Sequence, residues 1–193
     1  MSTIVGVCGS LRSASFNMML LRALTGAAPP GTTIEIASIR EIPLYDGDLE
    51  TSGGIPDPVQ QLKESIAKSD GLLIVTPEYN NSMPGVLKNT IDWLSRPPAD
   101  IQRVFAGRPV AFAGATPGQG GTRLSQAAWL PVVRTLGMLP WFESLLMISG
   151  AGKIFDASGA ITDEATRERV HRFAEGFARF ATAQSRARKA GDQ

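Results

Sequence analysis

Three serine hydroxyls, one guanidinium and one side-chain amide fall within the stretch Gly9-Ser10-Leu11-Arg12-Ser13-Ala14-Ser15-Phe16-Asn17. Each of these groups donates hydrogen bonds and Arg12 adds a fixed positive charge, so together they suit a dianionic phosphate. The stretch follows an apolar run, Ile4 to Cys8, and enters a pattern in which Phe16, Met19, Leu20, Ala23 and Leu24 recur on one helical face. A phosphate held there would also meet the N–H groups of a helix start. No Gly-Lys-Ser/Thr follows and the spacing is not G-x-G-x-x-G, which leaves a mononucleotide loop using Ser10, Arg12, Ser15 and Asn17. Ordinary turn and capping chemistry is the alternative use of the same residues.

Two further loops occupy equivalent places. Pro77-Glu78-Tyr79-Asn80-Asn81-Ser82-Met83-Pro84-Gly85 follows the apolar run Leu72 to Thr76 and precedes a helical pattern from Val86 to Ser95. Gly114-Ala115-Thr116-Pro117-Gly118-Gln119-Gly120-Gly121 follows the run Val110 to Ala115, and its small residues permit close backbone approach to a ring or sugar.

Taken together, GSLRxxSxN and PEYNxSxPGxLKNxIDW resemble the NADPH-dependent FMN reductase family, which includes quinone, azo-dye and chromate reductases. The resemblance extends from Ile4 to the last helix near Phe180. It implies a flavodoxin-like fold, FMN as cofactor and NADPH or NADH as electron donor. The implied cofactor contacts are Ser10, Arg12, Ser15, Phe16 and Asn17 in the first loop and Pro77, Glu78, Tyr79, Asn80 and Ser82 in the second. Thr116, Gly118, Gly120 and Gly121 follow as second-tier contacts from the third. No catalytic side chain is implied, because flavin N5 carries the chemistry. A small-molecule acceptor would take the electrons in a ping-pong sequence: a quinone, free flavin, azo compound or metal oxyanion. The family also implies a homodimer or homotetramer. Arg96, Arg103 and Arg108 are the candidates for reading the 2′-phosphate of NADPH, on their proximity to the helix and strand flanking the cleft.

The elements that must position these loops alternate in type. Strand-like runs at Ile4–Cys8, Thr33–Ser38, Leu72–Thr76, Val110–Ala115 and Leu145–Ser149 are separated by helical patterns. The first, third and fourth are nearly continuous apolar runs, as strands covered on both faces must be. The expectation is an α/β, three-layer, doubly wound, five-stranded parallel sheet of flavodoxin-like order 2-1-3-4-5. Ligands of such sheets lie at the carboxyl ends of the strands, where all three loops fall. Pro131 predicts a kink or break near Ala127 in a helix from about Gly121 to Leu136. Leu44 to Pro58 reads as a long irregular connection whose acidic residues lack the glycine and glutamate spacing of a calcium loop. Thr162 reads as the N-cap of the last helix. Residues 1–185 form one expected domain, with Arg186 to Gln193 a frayed polar tail.

Composition removes several functions. Nineteen basic against eighteen acidic residues, formally +1, provide no global field to recruit nucleic acid or an anionic membrane. No apolar run approaches the roughly twenty residues of a membrane span, and the N-terminus lacks signal-peptide character, so the expected location is cytoplasmic. The single cysteine, Cys8, excludes an internal disulfide and a Cys-rich zinc site, and no metal site is expected. Cys8 and Arg12 are too close for the C-x5-R of a low-molecular-weight tyrosine phosphatase. The lone histidine, His171, sits in the last helical pattern away from the loops, and no G-x-S-x-G is present. A flavodoxin-type electron carrier is the alternative on the same fold, disfavoured by the balanced charge. Trp93, Trp129, Trp141 and Phe142 read first as core and second as subunit interface.

Overall fold

Alternate residues of the apolar runs are buried on opposite faces, and that dictates three layers. In β1 (Ser2–Cys8), Ile4 and Cys8 enter one core while Val5 and Val7 enter the other. In β3 (Gly71–Val75) and β4 (Pro109–Ala115), Leu73, Val75, Ala111 and Ala113 take the first side, and Leu72, Ile74, Val110 and Phe112 the second. The computed structural model describes residues 1–191, with side chains through Arg188.

The first core is closed by α1 (Phe16–Gly26) and the long α9 (Glu164–Gly191), through Leu20, Leu21, Leu24, Phe173 and Phe177. The second core is closed by the helices from α3 to α7. α2 (Gly47–Gly53) precedes α3 (Asp57–Lys68), α4 (Gly85–Leu94) and α5 (Ile101–Val104), followed by α6 (Arg123–Ala128) and α7 (Leu130–Thr135). Val59, Leu62, Ile66, Leu87, Ile91, Val104 and Val133 fill this side. The short α8 (Ala151–Ile154) links the last strand toward α9.

All strand pairs are parallel. The order is β2 (Thr32–Ala37), β1, β3, β4, and then a divided fifth position. There β5 (Leu139–Pro140) pairs with Pro109 and Val110, while β6 (Leu146–Ile148) pairs with Ala113 to Ala115. The expected 2-1-3-4-5 order therefore holds with its last strand split into two pieces.

Pro131 breaks the helix after β4, with the discontinuity at Trp129, two residues beyond the expected Ala127. The segment expected to be irregular, Leu44 to Pro58, contains α2, capped by the Asp46 carboxylate accepting from the Asp48 N–H at 2.8 Å. α2 buries no residue, so no apolar period announced it. The cap of α9 is Asp163, which accepts from the Thr166 N–H at 2.8 Å, while the Thr162 hydroxyl donates to the Ile154 carbonyl. α9 continues to Gly191 through the expected polar tail, of which Asp192 and Gln193 lie outside the described residues.

Candidate active site

β1 delivers the first loop to the carboxyl edge of the sheet. The Gly9 N–H donates to the Val75 carbonyl at 2.9 Å, and a Cβ at Gly9 would stand 2.9–3.0 Å from Leu87, Pro77 and Pro84. Only glycine lets the first loop lie this close against the second. Beyond it, Ser10 Oγ accepts from the Arg12 N–H at 3.4 Å, and Ser15 Oγ caps α1 by accepting from the Met18 N–H at 3.3 Å. Both hydroxyls keep a proton to donate. Arg40, in the turn that follows β2, braces the loop from outside by donating to the Leu11 carbonyl at 2.7 Å. The Arg12 side chain is exposed and makes no hydrogen bond or ion pair with protein among the described residues.

Asn17 also has a partner within the protein. Its carboxamide exchanges two 2.9 Å hydrogen bonds with the backbone of Ala115, donating to the carbonyl and accepting from the N–H. Asn17 thus extends the β4 ladder by one artificial partner and holds the third loop beside the first, leaving one amide hydrogen uncommitted.

The second loop is a two-residue hairpin. Tyr79 and Ser82 exchange backbone hydrogen bonds of 3.1 and 3.0 Å, with Asn80 (φ 51°) and Asn81 (φ 60°) at the turn. Positive φ at both central positions defines a type I′ turn, which asparagine tolerates better than other non-glycine residues. Tyr79 is left 48% exposed at the cleft. The Glu78 side chain reaches across to the next element: its Oε2 accepts from the N–H groups of Leu124 (2.7 Å) and Ser125 (3.1 Å) at the start of α6. Beneath, Thr76 Oγ1 bonds Ser125 Oγ at 2.9 Å and accepts from the Trp129 indole at 3.3 Å, so the loop rests on a satisfied buried network.

The third loop is pinned onto β6 and α8. The Thr116 N–H donates to the Ile148 carbonyl at 2.9 Å, Ala151 and Gly150 donate to Thr116 and Gly118 at 3.0 Å, and Ser149 Oγ donates to Gln119 at 2.8 Å. Gly121 (φ 59°) and Thr122 (φ 66°) carry the left-handed turn into α6. A Cβ at Gly121 would stand 2.8 Å from Met147, which gives this glycine a packing reason independent of any ligand.

The three loops enclose a cleft of about 210 Å³. Its lining includes the expected Ser10, Arg12, Ser15, Phe16, Asn17, Pro77, Glu78, Tyr79 and Thr116, and adds Ala14, Ala115 and Pro117. Asn80, Ser82, Gly118, Gly120 and Gly121 lie outside that lining. A larger groove of about 750 Å³ between α1 and α9 shares Ala14 and Ser15 with the cleft and includes His171. It contains no residue of the second or third loop, so size does not identify the site here. The convergence of three strand ends does.

The proposed 2′-phosphate readers are engaged elsewhere. Arg108 is fully buried, Arg96 pairs with Glu50 at 2.9 Å, and Arg103 pairs with Glu64 at 2.8 Å. Burial pushes the Cys8 thiol pKa up, which disfavours the thiolate a phosphatase needs. Trp93, Trp129 and Trp141 are core residues, whereas Phe142 is 55% exposed. Among the described residues no cluster of metal-ligating side chains occurs, and no helix is long and apolar enough to cross a membrane.

Residues 2–153 match the family model described as NADPH-dependent FMN reductase. The chain is 43% identical over 167 residues to an NAD(P)H-dependent FMN reductase of Pseudomonas aeruginosa, covering 86% of this chain and 88% of that protein. It is 39% identical over 175 residues to a 2-hydroxy-1,4-benzoquinone reductase of Burkholderia sp., covering 91% and 93%. Among solved structures it superposes with TM-score 0.85 on FerB, a flavoenzyme NAD(P)H:(acceptor) oxidoreductase from Paracoccus denitrificans. That match is at 32% identity over 95% of this chain and 99% of the other. Loop geometry, sheet order and similarity agree, and the chain belongs to the NADPH-dependent FMN reductase family.

Proposed function

We propose that FMN binds across the carboxyl ends of β1, β3 and β4, and that the protein uses it to oxidise NAD(P)H and reduce a quinone or a flavin. The observation that carries this reading is the donor set of the first loop. Arg12 is cationic and unpartnered, Ser10 and Ser15 present hydroxyl protons, and the first-turn N–H groups of α1 open at the same point. That set fits a phosphate and leaves the remaining cleft, between the Tyr79 hairpin and Thr116, for the flavin ring system.

The chemistry supplied by bound FMN is acceptance of hydride from NAD(P)H and delivery of the electrons to the acceptor. The protein's own contribution is binding and orientation. Arg12, Ser10 and Ser15 hold the phosphate, Asn17 fixes the spacing between the first and third loops, and the rigid type I′ hairpin sets where Tyr79 stands. Backbone N–H groups of the second and third loops offer preorganised donors for negative charge. NAD(P)H as donor goes with a cytoplasmic location. Exposed Leu130, Phe142 and Leu145 around the divided strand supply apolar surface for a homodimer or homotetramer.

Anaerobic titration of the FMN-reconstituted protein with NADPH tests the reading. Bleaching of bound flavin at one equivalent, followed by recolouring on addition of a quinone, is the expected result. Retained flavin that NADPH leaves oxidised would instead indicate an electron carrier.

A further inference from the structure

Glu78 belongs to the second loop, yet its carboxylate serves the far side of the third. Oε2 takes the N–H groups of Leu124 and Ser125, two of the donors that α6 leaves without intrahelical partners. The chain between the cleft-lining Pro117 and these amides is the glycine-rich stretch of the third loop, and Gly120 stands beside Glu78, its Cβ position 3.7 Å from Oε1. A loop of that composition has little rigidity of its own. It is therefore held at three points: Asn17 on Ala115, β6 and α8 on Thr116 to Gln119, and Glu78 on the α6 start.

We propose that Glu78 is a positioning residue that locks the second and third loops into one rigid cradle, so that FMN meets both in a fixed relation. This rests on the FMN reading above. Its action depends on reach more than on charge. The side chain spans from one loop to the next element, and a Gln amide oxygen in the same place still accepts both N–H groups, whereas an Asp carboxylate is one methylene short. The backbone hydrogen bonds of the Tyr79 hairpin are local to residues 79–82 and do not involve the Glu78 side chain, so the hairpin persists when the carboxylate is removed.

The experiment compares wild type, Glu78→Gln, Glu78→Ala and Glu78→Asp, each checked for a cooperative thermal transition. In the cofactor-free proteins, hydrogen exchange at Leu124 and Ser125 is read by NMR. FMN affinity is read by quenching of FMN fluorescence. The expected result is at least tenfold faster exchange at both amides, and at least tenfold weaker FMN binding, in Glu78→Ala and Glu78→Asp. Glu78→Gln should stay within about threefold of wild type on both readouts. Wild-type affinity in Glu78→Ala, beside a wild type that binds FMN, would overturn the coupling alone. Glu78→Asp behaving as wild type while Glu78→Gln fails would overturn the dependence on reach, because charge would then be decisive. A wild-type chain that takes no FMN would overturn the cofactor reading and the coupling with it.

Discussion

Arg108 and Arg12 stand at opposite ends of the same sheet and show what separates an arginine that serves the fold from one available to a ligand. Arg108 opens the base of the sheet just before β4, wholly buried, donating to the carbonyls of Val104, Ser69, Ala67 and Arg103 and to the Ser69 hydroxyl. These carbonyls lie at or near the ends of α3 and α5, where helices leave acceptors without partners. Burial draws its pKa down to about 10, which leaves it cationic at neutral pH. Arg12 sits at the carboxyl edge, exposed, with no protein partner among the described residues. At the base, every guanidinium nitrogen of Arg108 closes on the protein. At the carboxyl edge the donors are arranged and left open.

The comparison breaks most visibly at the base. Arg108→Met should destabilise the protein by about 3 kcal/mol or more, since it orphans several buried acceptors at once. Urea unfolding would measure this, and a loss below about 1 kcal/mol would show that water replaces the guanidinium there. Asn17→Ala lies between the two extremes, because Asn17 is buried and also joins two site loops. A loss of about 2 kcal/mol by the same measurement is expected, together with weaker FMN binding.

Arg12→Ala should do the converse of Arg108→Met. FMN dissociation should increase by about tenfold to a hundredfold, the worth of a charge-assisted hydrogen bond, with the melting temperature of the cofactor-free protein unchanged. Fluorescence titration and thermal melts decide it, and equal FMN affinity would move the phosphate elsewhere.

The smallest effect concerns a cap. Hydrogen bonds from the Thr166 hydroxyl and N–H hold the Asp163 carboxyl below its usual pKa. A depressed folded-state pKa contributes stability that is present above the unfolded value, about 3.9, and lost as pH falls through the folded one. Asp163→Asn should therefore flatten the acid side of a melting-temperature profile below about pH 5 and leave neutral stability nearly unchanged. An identical acid limb in both proteins would remove Asp163 from the account.

The central strands were legible because residues buried on both faces make unbroken apolar runs, and the loops were legible because their polar residues follow those runs directly. β5 was not, being two residues long and containing Pro140. α2 carried a readable cap in Asp46 with Asp48 and Glu50 in its first turn, but no apolar stripe to weigh against an irregular loop. Within the site, the type of each residue was readable and its partner was not. Asn17 meets a backbone 98 residues away and Glu78 one 46 residues away, distances over which local pattern carries no information. Both line the cleft, as expected of cofactor contacts, and both also hold protein to protein.

The divided fifth strand bears on how one of the sheet's two edges, the one opposite β2, meets its own kind. An uninterrupted outer strand would offer a row of unpaired N–H and C=O groups on which a neighbour's strand could add, the usual route to edge-to-edge aggregation. Here that rim offers two residues, one of them a proline without an N–H, then a gap through residues 141–145, then three more. No strand of ordinary length can be templated on so short a ladder. Copies of this protein that meet at this side would meet through side chains rather than by adding a strand to the sheet.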